Sequence, residues 1–412
     1  MSSPRALPPA IRSLPALTIV VVLVGASLRA PIVAVAPVAR EIGSDLAVGA
    51  AVVGLLTSIP VLCFAVFAPL AIGIVRRGGA DFALTVALAG ALVGCIVRST
   101  GGVAVALVGT AIMGAFIAIG NVVIPIVIAR EYSAHRAHTM TGVYTSALNV
   151  GTMTVTVATA PLSSAIGWRW AILSWAVFGL AALVVWIPLR GLRAALAPSP
   201  GPRSRAAEGS TAVLRHGPTW LLAAAFAGQA FAFYAMTAWL PTLLADQGFS
   251  GAAAGAISAI FQVAGIAGSL LLPVVTLRAS LRVAAIAAGV AWLTVPLGFL
   301  FAPGLWLVWC AVGGLAQGAG ITIVFIMING FGDDAHTTAG RSGFVQGFGY
   351  AVAAAGPLLL GALHEATHAW VLPLVVVLVA VVLFAVAGIA VAAHIQRLQQ
   401  RGRDYASSGQ PV

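Results

Sequence analysis

Arg29 is the residue in this chain with the clearest chemistry to offer. It stands about 18 Å along the first apolar stretch by the standard helical rise, beyond easy snorkelling to either end. A guanidinium at that depth costs about 2.5 to 3.5 kcal/mol on insertion scales. No Asp or Glu falls deep inside an apolar stretch to neutralise it. Its planar fork of five N–H donors suits a carboxylate, another small anion or a ring acceptor. Recognition of an anionic or polar guest is therefore expected. The competing reading is a structural arginine satisfied by carbonyls that Pro31 frees one turn earlier.

Neutral polar side chains that donate and accept recur in the other apolar stretches. Asn121, Tyr144 and Asn149 lie in the first half of the chain, and Tyr234, Gln262, Gln317, Gln346 and Tyr350 in the second. Gln346 and Tyr350, four apart, share one helix face beside Gly343 and Gly347. Gln229 and Tyr234 are five apart and diverge around the axis, so at most one faces a shared cavity squarely. A helix–helix hydrogen bond serves any one of these groups as well as a ligand does. Phe233, Trp239 and Phe261 offer aromatic walls or apolar packing.

Other chemistry is missing. No Ser–His–acid set, metal-ligand spacing or phosphate loop occurs, so neither an enzyme nor a bound cofactor is expected. Cys63, Cys95 and Cys310 sit one per apolar stretch without paired spacing. The ten acidic residues fall in loops or at helix ends, and the seven histidines in loops or tails. A proton relay would have to use the solute itself or a gate-edge group such as Asp246, and facilitated diffusion is the alternative.

The elements that position these residues follow from composition. Hydrophobic residues make up 61% of the 412 and charged ones 8%, which places the chain in a membrane. Twelve windows are each long enough to cross about 30 Å of hydrocarbon as a helix. All 21 basic residues are arginine. Seventeen fall in the tails and even-numbered loops, against Arg40, Arg98 and Arg169 in odd-numbered ones. Positive charge stays on the cytoplasmic side, so both termini are expected there. The net charge of +11 thus reads as topology and contact with anionic lipid, not nucleic-acid binding. Apolar sequence continuing to Val38 makes the first stretch a retained helix instead of a cleaved signal. The expected plan is all-α: a tail at 1–14, six helices over 15–189, a Pro-, Ser-, Gly- and Arg-rich connection at 190–218, six helices over 219–393 and a tail at 394–412.

The halves repeat one another faintly. Gly114 and Gly120 in helix 4 match Gly314 and Gly320 in helix 10, and Pro37 and Pro241 stand late in helices 1 and 7. Small residues at such spacing permit close helix contact. Two six-helix halves joined by a long connection resemble major facilitator transporters, whose substrate site lies between the halves. Several stretches are similar, more narrowly, to the cyanate and 2-nitroimidazole transporter branch (CynX/NimT): Ser27–Ile32, Gly54–Phe64, Gly120–Pro125, Met140–Thr145, Gly167–Trp170, Tyr234–Asp246, Gly314–Gly318 and Ser342–Tyr350. The loop at 76–81 departs from the superfamily pattern. The resemblance favours Tyr234 over Gln229 as a site residue. It implies a multi-pass protein of the cytoplasmic membrane, acting as a monomer, that moves a small molecule or anion of cyanate or nitroimidazole type. Export of drugs or metabolites by the same fold is the alternative, and a non-transporting sensor ranks below both.

Overall fold

The computed structural model describes residues 14–198, 213, 215–331 and 335–408. The N-terminal tail with Arg5 and Arg12, the connection's Arg203, Arg205 and Glu208, and the pair Asp333 and Asp334 lie outside the described residues. Lipid offers no hydrogen bonds, so a spanning backbone must bond to itself, and long apolar runs do so as helices. The helices are α1 (Leu14–Val33), α2 (Ala39–Asp45), α3 (Ala50–Thr100), α4 (Val103–Glu131), α5 (Ala134–Ile166), α6 (Trp168–Ser174), α7 (Val177–Arg190), α8 (Leu192–Leu196), α9 (Gly217–Asp246), α10 (Gly251–Arg278), α11 (Leu281–Phe301), α12 (Trp306–Asn329), α13 (Ala335–Ala353), α14 (Ala355–Thr367) and α15 (Val371–Ser408).

Several elements differ from the windows read in the sequence. The second and third windows meet in α3, which folds back at Gly79 with φ 80° and ψ 162°, a conformation open to glycine and strained for other residues. Helix continues past 393 to Ser408, so the expected C-terminal tail is largely helical, and His135, His138, His336, His364 and His394 sit within helices. A short helix, α8, lies inside the connection. Among the described residues eleven stretches are long and apolar enough to cross a membrane. The 33-residue α5 is long enough too, but its threonines and serines leave it outside those eleven.

The small residues matched between halves pack alike. A Cβ on Gly114 would stand 2.7 Å from Pro60 Cα of α3, and one on Gly120 would stand 2.6 Å from Leu28 of α1. On α12, a Cβ at Gly314 would stand 2.5 Å from the Phe261 carbonyl of α10, and Gly320 packs on Gln229 of α9. Each glycine pair therefore serves the same two neighbours of its own half, and in both cases close backbone approach replaces side-chain bulk.

Polar groups gather at the two ends of the bundle. At one end Asp81 accepts from Arg130 at 2.5 Å and Arg190 at 2.7 Å, and Glu131 joins both arginines. At the other end Arg40 pairs with Asp246, Arg169 bonds Asp45 at 2.8 Å, and Ser163 donates to Glu41. These are the Arg190 end and the Arg40 end below.

Candidate functional site

Small residues bring α1 against α5 one turn before Arg29. A Cβ on Gly25 would lie 2.9 Å from both the Ala147 Cβ and the Tyr144 carbonyl, so only glycine lets the helices approach this closely. Arg29 and Tyr144 are seated side by side as a result. The second half supplies the facing wall: the Arg29 guanidinium lies 5.6 Å from the centroid of the Phe233 ring and 5.8 Å from that of Tyr234. Arg29 and Phe233 each stand eight residues before the proline matched between the halves, Pro37 and Pro241. Related positions thus hold the cation and the ring beneath it.

Tyr350 extends this wall. Its ring meets Tyr234 at 6.3 Å, Phe64 of α3 at 5.5 Å and Phe226 of α9 at 5.2 Å. Tyr144, Tyr234 and Tyr350 all lie near Arg29. Tyr144 donates to the Asn121 side-chain oxygen at 3.3 Å, which ties α5 to α4. Arg29 is half-buried, and among the described residues its guanidinium has no hydrogen bond or ion pair. The Tyr234 hydroxyl is buried and has no partner among the described residues. Buried polar groups are normally satisfied, so the open phenol is an exception, and the five cationic N–H donors and aromatic faces beside it have the chemistry to take an acceptor-bearing, flat guest.

The remaining polar positions read in the sequence bond elsewhere. Asn149 donates to the Thr145 carbonyl of its own helix at 3.0 Å, and Gln346 to the Ser342 hydroxyl at 2.8 Å. Gln262 donates to the Thr237 hydroxyl at 3.3 Å. Gln317 is buried where α12 crosses Gly265 of α10. Gln229 donates to the Gln317 carbonyl at 2.8 Å and accepts from the Trp292 indole at 2.6 Å. Trp239 donates to the Pro357 carbonyl at 2.7 Å, and Phe261 packs on Trp292 at 5.9 Å. Of the three expected wall aromatics, only Phe233 reaches Arg29. Phe64 and Phe226 were not singled out in the sequence, because a phenylalanine in an apolar helix carries no mark of which neighbour it meets.

Arg98 corrects the sequence reading outright. Expected in an outer loop, it is fully buried on α3 and donates to the Pro31 carbonyl at 2.7 Å. Arg98 thus satisfies a carbonyl at the end of α1, a different one from those that Pro31 frees one turn earlier. Long arginine stems read as helix ends in a sequence, and only the fold of α3 against α1 turns this one inward.

Among the described residues, three polar bonds link the first half of the chain to the second, all toward the Arg40 end. They are the Arg40–Asp246 pair, the Ala51 N–H to Glu365 at 3.1 Å and the Leu358 N–H to Ser58 at 3.1 Å. Asp246 also accepts from the Trp370 indole at 2.8 Å. The halves are thus latched at one end of the Arg29 group.

Known proteins place this geometry. The chain is 30% identical over 374 residues to the 2-nitroimidazole transporter of Escherichia coli, covering 90% of this chain and 93% of that one. It is 32% identical over 379 residues to an uncharacterised transporter, YycB, of Bacillus subtilis, covering 89% and 91%. Its fold is shared with a D-xylose–proton symporter at TM-score 0.70 and 13% identity, over 92% of this chain and 96% of that one. A family profile matches residues 17–357. That span takes in both halves and every residue around Arg29, and the chain accordingly belongs to the Major Facilitator Superfamily of membrane transporters, with the 2-nitroimidazole transporter among its relatives.

Proposed function

We propose that this transporter moves a small, flat anionic or polar solute of cyanate or nitroimidazole type by alternating access, with Arg29 as its principal contact. Residues 15–189 and 219–393 form the two moving halves, α5 supplies a twelfth span, and both termini lie in the cytoplasm. The Arg-rich Arg190 end then faces inward.

One observation carries this reading. A half-buried guanidinium, free of any protein hydrogen bond or ion pair among the described residues, sits against rings from the opposite half. The ring contacts recover only part of the insertion cost of such a cation, and a guest would supply the rest. The solute's acceptor would take the Arg29 fork, its flat face would lie among Phe233, Tyr234 and Tyr350, and Tyr144, held by Asn121, would close the first-half side. The latch at the Arg40 end leaves this site reached from the cytoplasmic side. Rocking the halves would break Arg40–Asp246 and expose Arg29 to the outside.

Counterflow in proteoliposomes tests the proposal. Reconstituted protein should exchange radiolabelled 2-nitroimidazole or cyanate, and Arg29→Ala should abolish exchange while inserting normally. Exchange by that variant at the wild-type rate would remove Arg29 from the site.

A further inference from the structure

Arg29 sits only four residues before the end of α1, and that end is poorly held by its own backbone. Pro37 has no N–H to give the Val33 carbonyl. Past Ala30, whose carbonyl accepts from Ala34, backbone bonding resumes only at Val35, so among the described residues no backbone N–H reaches the carbonyls of Pro31, Ile32 or Val33. Bare carbonyls end every helix and need other partners. The side-chain partner here is Arg98, which reaches the Pro31 carbonyl at 2.7 Å.

Arg98 is 0% exposed, and its Nε and Nη2 are buried without a partner among the described residues. A buried charge with unused donors is unfavourable, and an apolar side chain of similar length would avoid that loss. The bond Arg98 does make falls two residues from Arg29. Each residue of helix adds 1.5 Å of rise and about 100° of turn. A slip of one residue at the loose end of α1 would therefore lift Arg29 off the Phe233 and Tyr234 rings. We infer that Arg98 is a positioning residue: by clamping the Pro31 carbonyl from α3, it sets the depth and azimuth at which Arg29 meets solute. This inference rests on Arg29 being the solute-binding group.

The test is a double-mutant cycle on the full-length protein in nanodiscs, with 2-nitroimidazole and cyanate as probes. Arg98→Met is expected to weaken binding about tenfold, because a site loses affinity steeply when its supporting contacts loosen. Arg98→Lys, which keeps a donor for the Pro31 carbonyl, is expected to recover most of that loss. In an Arg29→Ala background Arg98→Met should add nothing, since coupled residues are non-additive. Wild-type affinity in Arg98→Met, or full additivity, would overturn the inference and leave Arg98 as a static helix cap. If Arg98→Met fails to accumulate, Arg98→Leu, which also has no donor for the Pro31 carbonyl, carries the same comparison. A probe-free measurement runs alongside: the rate at which Arg29→Cys reacts with a water-soluble thiol reagent. It should change severalfold with Arg98→Met and return with Arg98→Lys, and an unchanged rate again refutes the clamp. If Arg29→Ala binds both probes as wild type does, the reading of the site fails instead. If Arg29→Ala loses binding while Arg98→Met keeps it, only the clamp fails.

Discussion

Replacing Arg29 by alanine separates a binding arginine from a structural one, because the two predict opposite effects on stability. The side chain makes no hydrogen bond or ion pair among the described residues, so its loss strands no protein partner. What disappears is its contact with Phe233 at 5.6 Å and Tyr234 at 5.8 Å. Cation–π contacts of this kind contribute about 0.5 to 1 kcal/mol each. Against that loss of 1 to 2 kcal/mol stands relief of a charge at membrane depth, about 2.5 to 3.5 kcal/mol. The melting temperature of Arg29→Ala should therefore hold or rise. Solute binding moves the other way. Two charge-assisted hydrogen bonds at about 1.5 kcal/mol each amount to about 3 kcal/mol, or roughly a hundredfold in Kd. Thermal melts with and without 2-nitroimidazole, followed by titration calorimetry, measure both quantities on one preparation. A lower melting temperature together with wild-type affinity would refute the reasoning and make Arg29 a structural residue.

Tyr234→Phe removes a hydroxyl that has no protein partner, so stability should be unchanged while solute affinity falls about two- to tenfold, the value of one neutral hydrogen bond; equal affinity in the two proteins would exclude the hydroxyl from the contact. Gln229→Leu should do the reverse. It leaves the Trp292 indole unpaired, at about 1 to 3 kcal/mol, so the melting temperature should drop with affinity per folded molecule intact, and an unchanged melt would refute the structural role. Asp246→Asn weakens the latch at the Arg40 end. Both partners are well exposed, at 56% and 32%, so the pair contributes about 1 kcal/mol or less. A cysteine at Ser58, buried at the contact between the halves, should then react a few times faster with an impermeant thiol reagent added from outside. The native Cys63, Cys95 and Cys310 are buried and give a low background, and no change in rate would argue against the latch.

Much of this protein is legible in one dimension. Apolar length dictates helices in a solvent that cannot bond to backbone. The glycine pairs Gly114/Gly120 and Gly314/Gly320 could be matched between the halves from their spacing alone, and they pack alike in the structure. Arg29 stood out because a cation is costly in hydrocarbon wherever the chain folds, and cost is a property of residue and depth. Tyr144, Tyr234 and Tyr350 share one sequence signature with Gln262, Gln317, Gln346 and Asn149, a neutral polar group in an apolar helix. Periodicity gave no means to separate them. A hydroxyl or amide at a given helical position looks alike whether it faces a cavity, its own backbone or a neighbouring helix. Crossing geometry decides which, and that geometry is set by contacts between residues far apart in the chain, such as Gly25 with Ala147. The same holds for Arg98, which a sequence places at a helix end and the packing of α3 against α1 places on the Pro31 carbonyl. Sequence by itself determined the solvent, the helices and the one residue whose charge demands a reason. Tertiary structure alone decided which side chains share its company, because that is a question of azimuth and neighbour, and neither is encoded locally.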